Sequence, residues 1–326
     1  MGNKNHIMKT QIFTLLAVVF LLVSCNNQTK EKSTTLSNKN FENYKGPIID
    51  MHIHAYSSVN PMFGLEYKNP LTGKVYYGSE SLQKHQKQTF EKFRQHNIVK
   101  AMVSNGALWH QLDSSLVIIG EGINNSIEDL EQKHKKGKLQ ILGEVAPNYQ
   151  GLLPTDESLV KYFDLANDLS IPIAYHMYPG GPPGGAYFAY PKTRAFQGKP
   201  LQLEEIIFSR PKMKIYIMHA AWPYLEDMKA LMYAHPQVYV DLGVICWGIP
   251  KKEFHNFLRG LVEAGFGDRI MFGSDQMVWV NTIDEGIEAI NSADFLSMEQ
   301  KENIFYNNAA RFLELTEEEI KKHKSL

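Results

Sequence analysis

Three things are scarce in this sequence: cysteine, net charge and long apolar runs. Its 326 residues include two cysteines, Cys25 and Cys246, and carry a formal net charge of -1. A balanced charge gives no basic field for nucleic acid and no acidic tail, so we expect a small-molecule partner and no nucleic acid. The apolar run from Ile12 to Val23 is too short for a comfortable membrane span.

This N-terminal run has the features of a secretory signal. Lys4 and Lys9 precede it, and it ends in Leu22-Val23-Ser24-Cys25. That ending resembles a bacterial lipobox, whose cysteine becomes the lipid-modified first residue of the mature protein. We predict a signal peptide over 1–24, lipidation of Cys25, and a cell-envelope protein anchored to a bacterial membrane on its periplasmic or outer side. The alternative is an ordinary signal peptide with a chance cysteine.

Residues 25–46 are predicted to be a flexible tether, because Asn, Lys, Ser and Thr dominate there and little can be buried. With Cys25 carrying lipid, no internal disulfide is available. Cys246 lies in an apolar strand context, where a cysteine more often packs than acts as a nucleophile.

Residues 47–326 predict one α/β domain, a single (β/α)8 TIM barrel. Hydrophobic residues make up 44% of the chain, and short β-rich runs alternate with segments of helical period, as in parallel sheets with crossover helices. Eight strands without an obvious linker favour a closed barrel over a doubly wound open sheet. Strands are predicted over 48–54, 98–104, 116–120, 139–146, 171–176, 214–219, 238–242 and 269–274, of which the third is ambiguous with a helix end, and helices over 81–96, 126–136, 157–169, 201–208, 224–234 and 253–264.

Two connections, 55–79 and 177–200, are longer than the helices they contain require. Both follow strands that end in histidine, on the face where barrel enzymes build their sites. We expect these loops after strands one and five to form a lid and substrate-selecting walls. The alternative is a proline-rich surface excursion.

The clearest chemical signal is the strand from Ile48 to His54. Side chains alternate along a strand, so His52 and His54 face the same way and can grip one metal ion. Imidazoles and carboxylates suit a divalent ion such as zinc, with manganese as the alternative and one or two ions. Histidines in helices or loops, such as His85, are expected to be solvated. Other predicted strand ends supply Glu144, His176, His219 and Asp275.

The order of these residues resembles the amidohydrolase superfamily, specifically its amidohydrolase-related (amidohydrolase 2) branch. The similarity covers roughly Pro47 to Leu315. The motifs that carry it are His52-x-His54, His176, His219 and Gly273-Ser274-Asp275, with supporting passages at 235–242 and 307–311.

The resemblance implies roles for these residues. His52, His54, His176 and Asp275 would bind metal, and Asp275 would also take the proton from the attacking water. His219 would be either a second-metal ligand or the group that polarises the substrate carbonyl.

Glu144 departs from the many two-metal members that carry a carboxylated lysine on strand four. It resembles branches in which a glutamate supplies the bridging or additional carboxylate, and a buried structural carboxylate is the alternative. Asp50 shares the histidine face one layer deeper and is a candidate to hydrogen-bond a ligand histidine.

Residues in the predicted loops are candidates for contact with substrate. Arg194 would hold a substrate carboxylate, although a solvent-exposed loop arginine is the alternative. His110 should lie near the barrel mouth. Tyr178 and Trp279 would line the pocket, unless they are ordinary rim packing.

The leading hypothesis is a metal-dependent hydrolase that uses metal-activated water on an amide, lactone or ester bond of a small substrate. An alternative within the family is a metal-dependent nonoxidative decarboxylase of a small carboxylic acid. A non-catalytic binding lipoprotein is the third reading, and the intact ligand set argues against it. The sequence leaves open whether the barrel forms a homo-oligomer.

Overall fold

The structure is a computed structural model that describes residues 42–326. The predicted signal peptide at 1–24, the predicted lipidation site Cys25 and most of the predicted tether lie outside these residues. Within the described part of the chain, no helix is both long and apolar enough to cross a membrane. Tyr44, from the end of the predicted tether, stacks on Phe305 with 5.4 Å between ring centroids.

In residues 42–326 ten strands form one eight-stranded parallel sheet and one hairpin. The sheet has the order β1-β4-β5-β6-β7-β8-β9-β10, and β2 pairs antiparallel with β3. The predicted TIM barrel is therefore confirmed, including the ambiguous third strand, while the hairpin was missed. The strands are β1 (Ile48–His54), β2 (Glu66–Lys68), β3 (Val75–Tyr77), β4 (Ile98–Ser104), β5 (Val117–Glu121), β6 (Ile141–Val145), β7 (Ile173–His176), β8 (Ile215–Met218), β9 (Val238–Asp241) and β10 (Ile270–Met271).

The two edges of the sheet meet next to the predicted metal ligands. Met51 N donates to Phe272 O at 2.9 Å, and Asp275 N donates to His52 O at 2.7 Å. The segment after β10 therefore bonds to β1 instead of continuing as a regular strand, so β10 is shorter than the predicted 269–274. These bonds bring the ends of β1 and β10 together and nearly close the barrel.

Helices lie between the barrel strands, and the six predicted helical segments are helical. Helix α1 begins where the Ser81 side chain accepts a hydrogen bond from Lys84 N, an N-cap that satisfies a free amide of the first turn. The predicted helix at 201–208 opens as a 3₁₀ turn, Pro200–Leu203. The α-helices are α1 (Leu82–Gln95), α2 (Ala107–Leu112), α3 (Ile127–Lys135), α4 (Glu157–Asp168), α5 (Glu204–Phe208), α6 (Leu225–Ala234), α7 (Ile245–Gly248), α8 (Lys251–Leu261), α9 (Thr282–Asn291), α10 (Met298–Glu302), α11 (Asn308–Phe312) and α12 (Glu317–Lys324).

The core has two parts. One buried cluster joins side chains from strands around the sheet, such as Ile49, Met102 and Tyr216, to Phe312 near the C-terminus. Because strands on opposite sides of a barrel meet only in its middle, this cluster fills the interior. The larger cluster packs the helices on the outside of the sheet. The polar side chains of the candidate site lie outside this core, at the carboxyl ends of the strands.

Candidate metal centre

The six predicted ligands come together at one end of the barrel. His52 and His54 end β1, Glu144 lies in β6, and His176 ends β7. Parallel strands bring their carboxyl ends to the same side, so residues far apart in sequence become neighbours there. His219 follows β8 directly, and Asp275 lies shortly after β10.

Two carboxylates face the imidazoles of β1. Asp275 Oδ1 lies 3.0 Å from His54 Nε2 and 3.5 Å from His52 Nε2. Glu144 Oε2 lies 3.5 Å from His54 Nε2 and 4.0 Å from His52 Nε2. Negative oxygens therefore approach both Nε2 atoms from two sides.

The other carboxylate oxygen of Glu144 faces the histidines of the neighbouring strands. Glu144 Oε1 lies 2.5 Å from His176 Nδ1 and 3.9 Å from His219 Nε2. His219 Nε2 is in turn 3.0 Å from His176 Nδ1. Glu144 thus stands between the β1 pair and the His176–His219 pair, which is the position that a bridging carboxylate requires.

Hydrogen bonds set the tautomers of two histidines. His219 Nδ1 lies 2.9 Å from the carbonyl oxygen of Gly243, and His52 Nδ1 lies 3.1 Å from Asp241 Oδ2. Both partners are acceptors, so each Nδ1 carries the hydrogen and donates it. The Nε2 atoms that face the cluster are therefore the positions free to bind an ion.

Asp241 is the important residue that sequence reasoning missed. Besides facing His52, its Oδ1 accepts hydrogen bonds from His219 N at 2.9 Å and Gly243 N at 2.8 Å. The sequence feature that could have identified it is its position as a carboxylate at the end of β9. Asp50 does hydrogen-bond a predicted ligand histidine, but through the backbone: its Oδ1 accepts from the amides of His52 and Ser274 and not from an imidazole.

The donor set fits a divalent ion. His52 Nε2 and Asp275 Oδ1 are buried atoms without a hydrogen-bond partner, and buried polar atoms are normally satisfied. Among the described residues, His52, His54 and Asp275 form one compact group of ligand atoms, and His52, Glu144 and His219 form another. Nitrogen and carboxylate donors at this spacing suit divalent ions such as zinc or manganese.

Burial and neighbouring charges shift the pKa values of the site residues in different directions. Burial alone would lower the pKa of His52, but the carboxylates of Asp275, Asp241 and Glu144 raise it to about 10. For His219, burial and the neighbouring His176 and His52 lower the pKa to about 4. Burial would raise the pKa of Asp275, but His52 and His54 hold it below its usual value.

Two of the predicted ligands also have uncommon backbone conformations. His219 has φ of 61° and Asp275 has φ of 50°, in the left-handed region that non-glycine residues seldom adopt. Gly243 lies just after β9, where the backbone passes close to the imidazole of His52. A Cβ at Gly243 would lie 2.5 Å from His52 Nδ1, so only glycine leaves room for this imidazole.

A cavity of about 660 Å³ opens beside the cluster, and His176 and Asp275 line it. Tyr178 and Trp279 line it as predicted. The structure does not bring Arg194 or His110 to it. Arg194 Nη1 donates to the carbonyl oxygens of Pro191 and Thr193, and His110 Nδ1 donates to Val117 O, so local backbone acceptors hold both side chains elsewhere.

Both long loops contribute to the cavity walls. In the first, the β2–β3 hairpin places Tyr67 against Trp279, with 4.9 Å between ring centroids. Asn69 Nδ2 donates to Gly248 O at 2.8 Å and ties this loop to α7. The second loop supplies Tyr190 and neighbouring residues. The expected walls are therefore present.

Three further residues near the site, His85, Gln276 and Cys246, are buried. His85 was expected to be solvated but is 1% exposed, and its Nε2 donates to Met277 O at 2.7 Å. Gln276, which was not singled out, pairs with the backbone of His54: it accepts from His54 N and donates to His54 O, both at 2.9 Å. Cys246 is buried, and burial raises its thiol pKa well above the usual value, consistent with packing.

Comparison with known proteins identifies the family of this architecture. A family model described as amidohydrolase matches residues 129–315, more than half of the chain. Protein fluG of Emericella nidulans is 22% identical over an alignment of 141 residues, and the match covers 37% of this chain. The chain spans 16% of the length of that curated relative.

Solved structures share the fold at low identity. A probable 2-pyrone-4,6-dicarboxylic acid hydrolase from Acinetobacter baumannii has a TM-score of 0.57 at 13% identity, covering 82% of this chain and 99% of its own. An amidohydrolase from Burkholderia multivorans with bound zinc has 0.56 at 12% identity, covering 83% and 100%. The 2,6-dihydroxybenzoate decarboxylase from Rhizobium has 0.53 at 10% identity, covering 83% and 99%.

Proposed function

The chain belongs to the amidohydrolase family, and from this we propose that it is a metal-dependent hydrolase that cleaves a lactone, ester or amide of a small substrate. Family membership suggests an enzyme, either a hydrolase or a decarboxylase. The observation that carries the proposal is the buried cluster whose His52 Nε2 and Asp275 Oδ1 are unpartnered, next to a cavity lined by Asp275.

We propose zinc as the ion, with manganese as the alternative. Its ligands would come from His52, His54, His176, His219 and Asp275, and Glu144 would join two ions if two are bound. A divalent ion supplies Lewis acidity, which polarises a carbonyl and makes a water molecule more acidic. Zinc bound by the Burkholderia multivorans amidohydrolase supports this choice.

Asp275 is the residue suited to move the proton. The nearby His52 and His54 keep its pKa low despite burial, so it is a carboxylate at neutral pH and can accept a proton. Because it lines the cavity, the same oxygen can return that proton to the leaving group of the substrate.

His219 is better suited to bind an ion than to donate a proton to substrate. Its Nδ1 hydrogen is engaged by Gly243 O, and its pKa of about 4 keeps the ring neutral at neutral pH. A neutral imidazole with Nδ1–H has no hydrogen on Nε2. Of the two roles that the family resemblance implies, the second-metal ligand is therefore favoured.

Hydrolysis is favoured over decarboxylation by the charges around the cavity. A substrate carboxylate is usually held by a guanidinium, which offers two parallel hydrogen bonds. Among the described residues that line this cavity there is no arginine, and Arg194 is occupied by backbone carbonyls. The structural similarity to a decarboxylase keeps that reaction as the second candidate.

Purified, metal-loaded protein tested on panels of lactones, esters, amides and aromatic acids would separate the two reactions. We expect turnover in at least one of the first three panels, with one oxygen from ¹⁸O-labelled water in the carboxylic acid that is formed. Carbon dioxide release without incorporation of labelled oxygen would overturn hydrolysis. A well-folded protein that binds neither zinc nor manganese would remove the basis for either enzyme.

We also propose that lipid on Cys25 holds the barrel at a bacterial membrane within the cell envelope. The support is the order of charge, apolar run, small residue and cysteine at the N-terminus. Expressed in a bacterium, the full chain should incorporate labelled palmitate and sediment with membranes, and Cys25→Ser should lose the label. Equal labelling of the variant would contradict lipidation at Cys25.

A further inference from the structure

The walls of the cavity are unusually rich in aromatic rings. They come from different parts of the chain, so the rings surround the space and do not form one stripe. Tyr149 stacks on Tyr190 with centroids 4.2 Å apart, and Tyr149 lies 4.9 Å from the ring of His176. The aromatic wall therefore begins directly beside the predicted ligands. Its members are Tyr56, Tyr67, Tyr149, Tyr178, Phe188, Tyr190, Trp247 and Trp279.

Fixed positive charge is almost absent from these walls. Among the described lining residues, Lys68 is the side chain that carries it, and Lys68 is exposed. The phenols add no charge of their own near neutral pH, since the ordinary pKa of a tyrosine is about 10. An anionic group held against these rings, away from the predicted ion, would lose hydration without gaining a cationic side chain as partner.

The apolar lining continues to the mouth. Leu71 from the first long loop and Phe188 from the second both line the cavity, and they are 44% and 72% exposed. Exposed large apolar side chains at the edge of a pocket are typical of a surface that a ligand covers. The adjacent Tyr187 is 94% exposed and is not among the lining residues.

We infer that the cavity takes an uncharged substrate that carries an aromatic or similarly large apolar ring next to the carbonyl that is cleaved. This inference rests on the proposed hydrolase function only in stating that the bond at this carbonyl is cleaved; the binding preference does not depend on it. Ring stacking on Tyr149 and Tyr190 would hold the apolar part, and the carbonyl would face Asp275 and the histidines. A carboxylate on the ring itself would meet aromatic walls and is selected against.

Binding tests this class without any turnover. Zinc-loaded protein is titrated with 2-tetralone, a bicyclic ketone that cannot be hydrolysed, and with the same ketone bearing a carboxylate on its aromatic ring. Calorimetry should give a dissociation constant about tenfold lower for the neutral ketone, which is the effect of about 1.4 kcal/mol. Equal or tighter binding of the carboxylate would overturn the inference.

Three variants test where the ketone binds. Phe188→Ala removes a ring that lines the mouth and should raise the dissociation constant of 2-tetralone about 2- to 10-fold, the range expected for one aromatic contact. Tyr187→Ala removes a neighbouring exposed ring outside the cavity and serves as the matched control. Phe188→Arg adds the missing cation and should improve binding of the carboxylated ketone. Identical responses of the two alanine variants would contradict the placement.

Turnover then separates the two proposals. Relative to the rate of its own uncatalysed hydrolysis, dihydrocoumarin, a neutral aromatic lactone, should be hydrolysed with higher kcat/KM than δ-valerolactone, which lacks the aromatic ring, and than dihydrocoumarin with a carboxylate on that ring. The uncatalysed rate is the reference because the phenolate leaving group makes dihydrocoumarin intrinsically more reactive. Preferential binding of 2-tetralone without hydrolysis of dihydrocoumarin would support the substrate class and overturn hydrolysis of this lactone. A preference for the carboxylated ligands in both assays would overturn the substrate class alone.

Discussion

His52 Nδ1 lies 3.1 Å from Asp241 Oδ2, and neither side chain is accessible to solvent. Asp241 is thereby the group that orients the first histidine of the predicted metal centre. Its other oxygen holds the backbone amides of His219 and Gly243. One carboxylate thus couples three segments of the site, and replacing it should affect ion binding before it affects chemistry.

We expect Asp241→Asn to weaken zinc affinity about 10- to 100-fold, the usual effect of removing the carboxylate behind a ligand histidine. Asparagine can keep the two amide bonds through Oδ1, but its NH₂ would face the Nδ1–H of His52 and favour the other tautomer. Competition with a chromogenic chelator measures the change. Asp129→Asn, an exposed first-turn carboxylate of α3, is the control. Affinities equal in both variants would argue against the orienting role.

Zinc binding should release protons and strengthen as pH rises. In the metal-free protein the carboxylates raise the pKa of His52 to about 10, so at pH 7 its Nε2 holds a proton that an ion must displace. Affinity should therefore increase with pH up to that value. Calorimetry in two buffers of different ionisation enthalpy counts the protons. Heats that do not depend on the buffer would contradict the prediction.

Asp275→Asn should lower kcat about 10²- to 10⁴-fold, the range for loss of a general base, while the fold is kept. An amide cannot accept the proton of an attacking water. The kinetics should be read with metal content and thermal unfolding, because Asp275 also faces His52 and His54. Asp268→Asn, with an exposed side chain, is the control. Undiminished turnover in metal-loaded Asp275→Asn would remove the residue from the mechanism.

Gln276→Ala should lower the free energy of unfolding by about 1–3 kcal/mol, because two backbone groups of His54 lose their partner. Gln276 itself is fully buried, so the loss also leaves a cavity. Urea unfolding of the metal-free protein gives the number. The exposed Gln132→Ala in α3 should change stability little. A similar small change at Gln276 would show that water replaces its bonds.

Gly243→Ala should reduce zinc binding without removing any polar group. Its Cβ would lie 2.5 Å from His52 Nδ1 and 3.0 Å from the Cβ of Asp275, so both side chains would have to move. Gly137→Ala in an open turn makes a useful comparison for packing, since nothing lies within 4 Å of a Cβ there, although its φ of +66° adds strain. Zinc affinity retained in Gly243→Ala would mean that His52 has another position.

The barrel and the ends of its strands could be predicted from sequence because both depend on local order. Alternation of apolar runs identifies strands, and parallel strands point all their carboxyl ends to one side. That geometry is enough to bring His52, His176 and Asp275 together, whatever the loops do. Membership of the amidohydrolase family is confirmed, while the roles of the site residues and the lipidated N-terminus stay predictions.

The tertiary structure decided which groups support the ligands. Asp50 and Asp241 both precede site residues in strands, but the closure of β1 against the segment after β10 directs Asp50 to backbone amides, and β9 brings Asp241 to His52. The contacts of the long loops also depend on tertiary structure. Arg194 donates to a nearby backbone carbonyl, and Tyr67 of the β2–β3 hairpin packs on Trp279. Such partners lie far apart in the chain, so their pairing depends on closure and packing that local sequence order does not contain.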